Sequence, residues 1–194
     1  MKKNFAYSAD FDEITENEFR KAKYLGRGNN GIVYELPNNK VIKIFLKRKV
    51  CKDEGSILYK TNGSKYFPKL YARGSLYVIR AKVYGERLDK YIKKYGLSDE
   101  LSLNVYNLLN EFKRLKFLRL DTRCKDIYVD SDQSVMLIDP KKAYKRKVDY
   151  PRHLMKGLDK IGALDTFLSQ VGKINKKKQI KWIKKYARYK ETLN

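Results

Sequence analysis

Histidine is almost missing from this 194-residue chain: His153 is the only one. A histidine-ligated zinc centre or a Ser-His-Asp triad would have to rest on that single ring, so most hydrolase readings lose ground. Cysteine is scarce as well. Cys51 and Cys124 are far apart, have no metal-type spacing, and read as two free thiols. No apolar run approaches the roughly 18–20 residues of a membrane span. The first ten residues lack an apolar signal core and turn acidic at once, so the expectation is a cytoplasmic protein with no membrane span. No internal repeat or low-complexity linker divides the chain. Acid is short relative to base, 22 Asp and Glu against 45 Lys and Arg, for a net charge of +23.

What is present suffices for a folded domain. Hydrophobic residues make up 42% of the chain, and 24 of them are Phe or Tyr, enough for a core. The length suits one compact domain, or two small lobes sharing a cleft. The positive charge is uneven: residues 141–194 hold 17 Lys and Arg against 4 Asp and Glu. Such a surface attracts polyanions, nucleic acid or acidic protein among them, or is simply a lysine-rich solvated face.

Residues 1–23 are polar, with Phe11, Ile14 and Phe19 as candidate anchors. Residues 24–36 read as strand, glycine-rich turn, strand. Pro37-Asn38-Asn39 is a tight-turn signal and 41–45 a third strand. A helix is predicted over 49–60, then strands at 70–71 and 76–79. The first 80 or so residues therefore read as a five-stranded sheet with one helix. The chain then turns helical, with a short helix over 88–95. Ser98 is a candidate N-cap with Asp99 and Glu100 in the first turn. Leu101, Val105, Leu108, Leu109, Phe112 and Leu115 fall at helical spacing and predict a buried face. After a loop at 119–125 comes a hairpin, 127–129 and 135–138, ending in Asp139-Pro140. Helices are predicted at 153–161, 164–171 and 179–189.

Three segments carry chemistry. The first is Gly26-Arg27-Gly28-Asn29-Asn30-Gly31-Ile32-Val33. Glycines at this spacing let a backbone turn approach phosphate oxygens without Cβ clashes, and the β-branched residues that follow favour a strand–turn–strand flap over a dinucleotide-binding strand–turn–helix. The second is Lys43, a lysine inside an apolar strand, which is costly unless paired. Glu54 on the following helix is the natural carboxylate partner. The third runs from Arg119 through Asp121, Arg123 and Asp126 to Asp139. Asp121 can orient an attacking hydroxyl and accept its proton. Asp126 and Asp139 offer oxygen to a hard cation, and three acids on neighbouring loops suit a magnesium-dependent phosphoryl transfer.

Taken in order over residues 24–140, these features resemble the protein-kinase superfamily. The resemblance implies an α+β, bilobal fold: an N-lobe over 1–81, with a five-stranded antiparallel sheet and one helix, and a shortened, mainly helical C-lobe over 82–194. It implies that the segment from Gly26 to Val33 covers ATP phosphates. Lys43 would hold the α- and β-phosphates while paired with Glu54. Ala81 and Val83, in the hinge stretch 80–83, would hold adenine through backbone groups. Asp121 would be the catalytic base, Arg123 the cation facing the transferring phosphate, and Asp126 and Asp139 the ligands of Mg2+, with Mn2+ as a substitute. The activity implied is protein serine/threonine kinase activity, the acceptor otherwise being a small molecule or a lipid sugar.

The departures are specific. The catalytic loop reads Arg119-Leu120-Asp121, not His-Arg-Asp. Asp126 stands in place of the usual asparagine. The metal motif reads Asp139-Pro140-Lys141, not Asp-Phe-Gly, and no Ala-Pro-Glu follows. The trimmed C-lobe resembles RIO-type and lipopolysaccharide-kinase-like families, and the small kinase of the tRNA threonylcarbamoyl machinery. Two other readings stay open. One is an ATP-binding pseudokinase. The other is a kinase-fold protein that meets RNA through residues 173–190, where Trp182, Tyr186 and Tyr189 are interleaved with lysines.

Overall fold

Alternation along the strands decides the first half of the chain. The computed structural model describes residues 10–140, 143–145 and 147–192. The first nine residues, together with Lys141, Lys142 and Arg146 of the basic stretch, lie outside the described residues. The fold is α+β and divides into two units, Met1–Val83 (unit 1) and Tyr84–Asn194 (unit 2). The division falls two residues later than the expected residue 81. Lys82 is tied back to unit 1: its amide donates to Asn39 O at 2.8 Å, and its Nζ donates to Glu35 at 2.6 Å.

In unit 1, β1 (Lys23–Gly28), β2 (Gly31–Leu36), β3 (Lys40–Phe45), β4 (Leu70–Arg73) and β5 (Tyr77–Ala81) form an antiparallel sheet ordered β1-β2-β3-β5-β4. The three-residue loop Pro37-Asn38-Asn39 joins β2 to β3, and Asn38 and Asn39 both take positive φ, 59° and 56°, which asparagine tolerates better than most residues. In the central strand β3 the side chains alternate between two apolar layers. Ile42 and Ile44 join Leu36, Tyr77 and Ile79 on one face. Phe45 joins Cys51, Leu58 and Val78 on the other, beneath α2 (Arg48–Thr61).

The expected single helix is joined by a second, α1 (Glu13–Arg20). Asp12 caps it, accepting from Thr15 N at 2.7 Å, an interaction that holds the Asp12 carboxyl below its ordinary range. Phe11 and Phe19 do anchor this segment, with ring centroids 5.0 Å from Tyr77 and Tyr34 respectively. Ile14 does not: it is 76% exposed, because the helical repeat turns it away from the sheet.

Unit 2 begins with β6 (Glu86–Arg87), which pairs with β7 (Ile127–Val129); β7 in turn pairs with β8 (Val135–Leu137), giving a small antiparallel sheet. Around it are α3 (Leu88–Tyr95), α4 (Asp99–Arg114), α5 (Arg152–Asp159), α6 (Leu164–Ile174) and α7 (Lys176–Glu191). Ser98 caps α4, accepting from Leu101 N at 3.0 Å. Leu101, Val105, Leu108, Leu109 and Phe112 are buried as the spacing predicts. Leu115, the C-cap of α4, is only half-buried. On α7, Trp182 stacks on Phe167 at 6.3 Å and an interplanar angle of 15°, and Tyr186 donates to Asp159 at 2.9 Å. Both rings are therefore core, whereas Ile180 and Ile183 are exposed. Both cysteines are free and buried. Among the described residues no helix is long and apolar enough to cross a membrane.

Candidate functional site

Within unit 1 the glycine-rich segment is the β1–β2 hairpin, with Gly28 opposite Gly31 and Asn29-Asn30 at its tip. Arg27, Gly28 and Asn29 are exposed, and Asn30 accepts from Leu46 N at 3.0 Å. The three glycines differ in what requires them. A Cβ on Gly31 would lie 2.0 Å from Ile44 O, so the β2–β3 pairing itself forbids a side chain there. At Gly26 and Gly28 a Cβ would meet nothing within 4 Å, and neither has a positive φ. The fold of unit 1 does not need glycine at either place. Val33 stands opposite Lys43 in the β2–β3 register.

The strand period places Lys43 on the Phe45 side of β3, toward α2. There its Nζ donates to Glu54 Oε2 at 2.6 Å, the two side chains 16% and 9% exposed. The lysine thus has the carboxylate partner that an apolar strand demands. Cys51, one helical turn before Glu54, is pushed up to about 11 by burial, with the Glu54 charge adding to the shift. At the end of β5, Ala81 is already engaged within the unit. Its amide donates to Lys69 O at 2.8 Å, and its carbonyl accepts from Arg80 Nη1 at 3.0 Å. Val83 lies beyond the last strand of the unit and is half-buried.

Unit 2 gathers the remaining candidates around one cavity of about 260 Å³. Asp121, Arg123, Asp126 and Asp139 all line it. The loop that carries Asp121 is fixed by its backbone. Leu118 N and Arg119 N both donate to Ala143 O, and Leu120 N donates to Val148 O at 2.7 Å. A single 3-10 turn, Cys124–Asp126, follows, and Ile138 N donates to Asp126 O at 3.0 Å, which ties the loop to the strand end that bears Asp139. α5 packs directly on this turn. A Cβ on Gly157 would lie 2.6 Å from Cys124 Sγ, so only glycine lets the helix approach this closely. Burial there raises the Cys124 thiol to about 12.

Two acids of the cavity, Asp121 and Asp126, are paired with cations of this chain. Arg123 makes a two-pronged contact to Asp126, Nε to Oδ2 at 2.5 Å and Nη2 to Oδ1 at 2.9 Å. Those bonds raise the Arg123 pKa most, burial opposes them, and the charges of Asp126, Asp139 and Asp121 add to the rise. Both Asp126 oxygens therefore face Arg123, an arrangement the sequence did not reveal. Asp121 is enclosed. Its Oδ1 accepts the main-chain N–H of His153 at 2.8 Å, and its Oδ2 meets His153 Nδ1 in a short contact. Arg119 Nη2 lies 3.4 Å and Arg152 Nε 3.6 Å from the same Oδ2. The His153 amide belongs to the first turn of α5, where N–H groups lack helical partners, so Asp121 also closes the start of that helix.

Sequence reasoning missed Arg152 and His153. They lie 31 and 32 positions after Asp121, and the only local signal was a helix start after Pro151. Among the described residues, no three His, Cys, Asp or Glu side chains group as a metal-holding cluster. Comparison with family models gives no match, and no curated protein matches the chain.

Proposed function

We propose that this chain is an ATP- and magnesium-dependent phosphotransferase with a kinase-like, bilobal fold, and that it transfers the γ-phosphoryl group to a hydroxyl, in the first instance a protein serine or threonine. The observation that carries the reading is the convergence in unit 2. Asp121, Arg123, Asp126 and Asp139 come from a loop, a 3-10 turn and a strand end, yet line one cavity. Unit 1 adds support. Gly26 and Gly28 are glycines that the local fold does not require, next to a strand lysine paired to a helix glutamate. Open backbone beside a fixed cation suits the oxygens of a polyphosphate.

Asp126 and Asp139 are hard oxygen donors and fit Mg2+, which is usually held by one or two carboxylates with substrate phosphates and water completing its shell. When bound, the ion would neutralise charge that develops on the phosphates. A cation at Asp126 competes with Arg123 for the same two oxygens. Arg123 lines the cavity with its side chain 42% exposed, and is the cation we place against a phosphate oxygen. In unit 1, Lys43 is oriented by Glu54, so its ammonium is held in one position before any ligand arrives.

The test is transfer of radiolabelled γ-phosphate from ATP, to the protein itself and to a generic protein acceptor, with and without magnesium. Transfer that needs the metal and disappears in both Asp121→Ala and Asp139→Ala is expected. Full activity in both variants would refute the reading. A second reading, nucleotide binding without transfer, is favoured by one observation: Asp121 and Asp126 already have cationic partners from this chain. Saturable ATP binding with no labelled product would select it.

A further inference from the structure

We propose that His153, held by Asp121, is the group that takes the proton from the acceptor hydroxyl. This deepens the phosphotransferase reading and rests on it. The residues alone assign that role to Asp121, but in the fold its carboxylate is enclosed. Asp121 as a whole is 6% exposed while its side chain is 0% exposed, so what it shows to the cavity is main chain. Both carboxylate oxygens are occupied, Oδ1 by the His153 amide and Oδ2 by His153 Nδ1, with Arg119 and Arg152 beside it. Neither oxygen is exposed to the cavity.

His153 is placed differently. Its side chain is 33% exposed and lines the same cavity as Arg123, Asp126 and Asp139. Its contact with Asp121 fixes the tautomer. A carboxylate only accepts, so the hydrogen of that contact sits on Nδ1, and in the neutral ring Nε2 keeps its lone pair. Two features of α5 hold the ring there. The His153 amide is bonded to the same carboxylate, and Gly157 seats the helix against Cys124, whose Sγ donates to Leu154 O at 3.6 Å. Asp121 is thus a positioning residue and His153 the base.

The step balances without a further reagent. The acceptor O–H bond breaks and its proton passes to His153 Nε2. The hydroxyl oxygen bonds to the γ-phosphorus of ATP, and the bond from that phosphorus to the bridging oxygen breaks. Its electron pair leaves with ADP, and the imidazolium then returns the proton to solvent.

Because His153 is the only histidine, full-length protein labelled with 15N-histidine gives a single set of ring signals. In wild type we expect a protonated Nδ1, an unprotonated Nε2 and a downfield Nδ1 proton that is lost in Asp121→Asn. An Nε2–H tautomer, or a spectrum unchanged by Asp121→Asn, overturns the proposal without reference to activity. In transfer assays with ATP and magnesium, His153→Ala should lower kcat about 100-fold or more, keep the KM for ATP within about threefold, and recover part of the rate with added imidazole. A His153→Ala rate within about threefold of wild type, or a loss that imidazole leaves unmoved, also overturns it. Wild-type protein that transfers no phosphate defeats the phosphotransferase reading itself and the base role with it. The spectrum then still reports whether Asp121 and His153 are paired.

Discussion

The two units hold their buried charge in opposite ways. Unit 1 has one strand lysine with one helix glutamate, set between apolar layers. Unit 2 has a network in which Asp121 meets Arg119, Arg152 and His153 while Arg123 holds Asp126. The first is local: strand alternation and the next helix bring residues 43 and 54 together. The second joins segments about thirty residues apart in sequence. An isolated pair is set by secondary structure, whereas a network depends on the whole unit being folded.

The contrast predicts a ranking of substitutions. Asp121→Ala should be the most damaging, at about 3–5 kcal/mol, because it leaves the half-buried Arg119 and Arg152 without their shared anion. Arg119 Nε and Arg152 Nε already have no hydrogen-bond partner among the described residues, so little remains to absorb the change. Urea denaturation of wild type and variant measures this. A loss below about 1 kcal/mol would mean that the network is not holding unit 2. Lys43→Ala should cost somewhat less, about 3 kcal/mol, since it takes one cation from Glu54 where Asp121→Ala takes the anion from several partners. In a double-mutant cycle, Lys43→Met with Glu54→Leu should recover much of that loss. Simple additivity of the two changes would show that the pair is not coupled.

Smaller effects separate fold from site inside unit 1. Gly31→Ala should cost about 1–3 kcal/mol, because the new methyl meets the Ile44 carbonyl. Gly28→Ala should stay within about 0.5 kcal/mol while weakening ATP binding. Thermal melts together with nucleotide titrations separate the two, and equal destabilisation would remove Gly28 from the list of glycines kept for a ligand.

The last prediction concerns pH. The Cys124 thiol is raised from 9.0 to about 12 by burial, so the folded state keeps its proton while the unfolded state releases it. The contribution is therefore complete below pH 9 and declines as pH rises from 9 toward 12, with a limiting slope of about 1.4 kcal/mol per pH unit. The stability advantage of wild type over Cys124→Ala should shrink across that window. A difference that does not depend on pH would show that the thiol is not sequestered.

Much of unit 1 was legible in the residues. Alternating apolar runs, the Asn38-Asn39 turn and a lone strand lysine each have one local solution, and the structure adopts it. The start of α1 was less plain, since Phe11 and Phe19 reveal their packing only against Tyr77 and Tyr34 of the folded sheet. In unit 2 the Ser98 cap and the α4 face were read directly, because helix caps and the 3.6-residue repeat act over a few residues. The aromatics of α7, interleaved with lysines, leave an RNA reading open in the sequence; in the fold Trp182 and Tyr186 pack inward on Phe167 and Asp159.

The sequence by itself therefore determined the elements, the pairing of Lys43 with Glu54, and the acids that belong to the candidate site. Short-range steric and hydrogen-bonding rules suffice for those. Only the tertiary structure decided what each acid touches. It enclosed Asp121 with Arg152 and His153 and gave both oxygens of Asp126 to Arg123. It also brought the start of α5 to the loop through the close approach of Gly157 to Cys124. Contacts between residues thirty positions apart are fixed by packing against a shared core, and no local pattern records them.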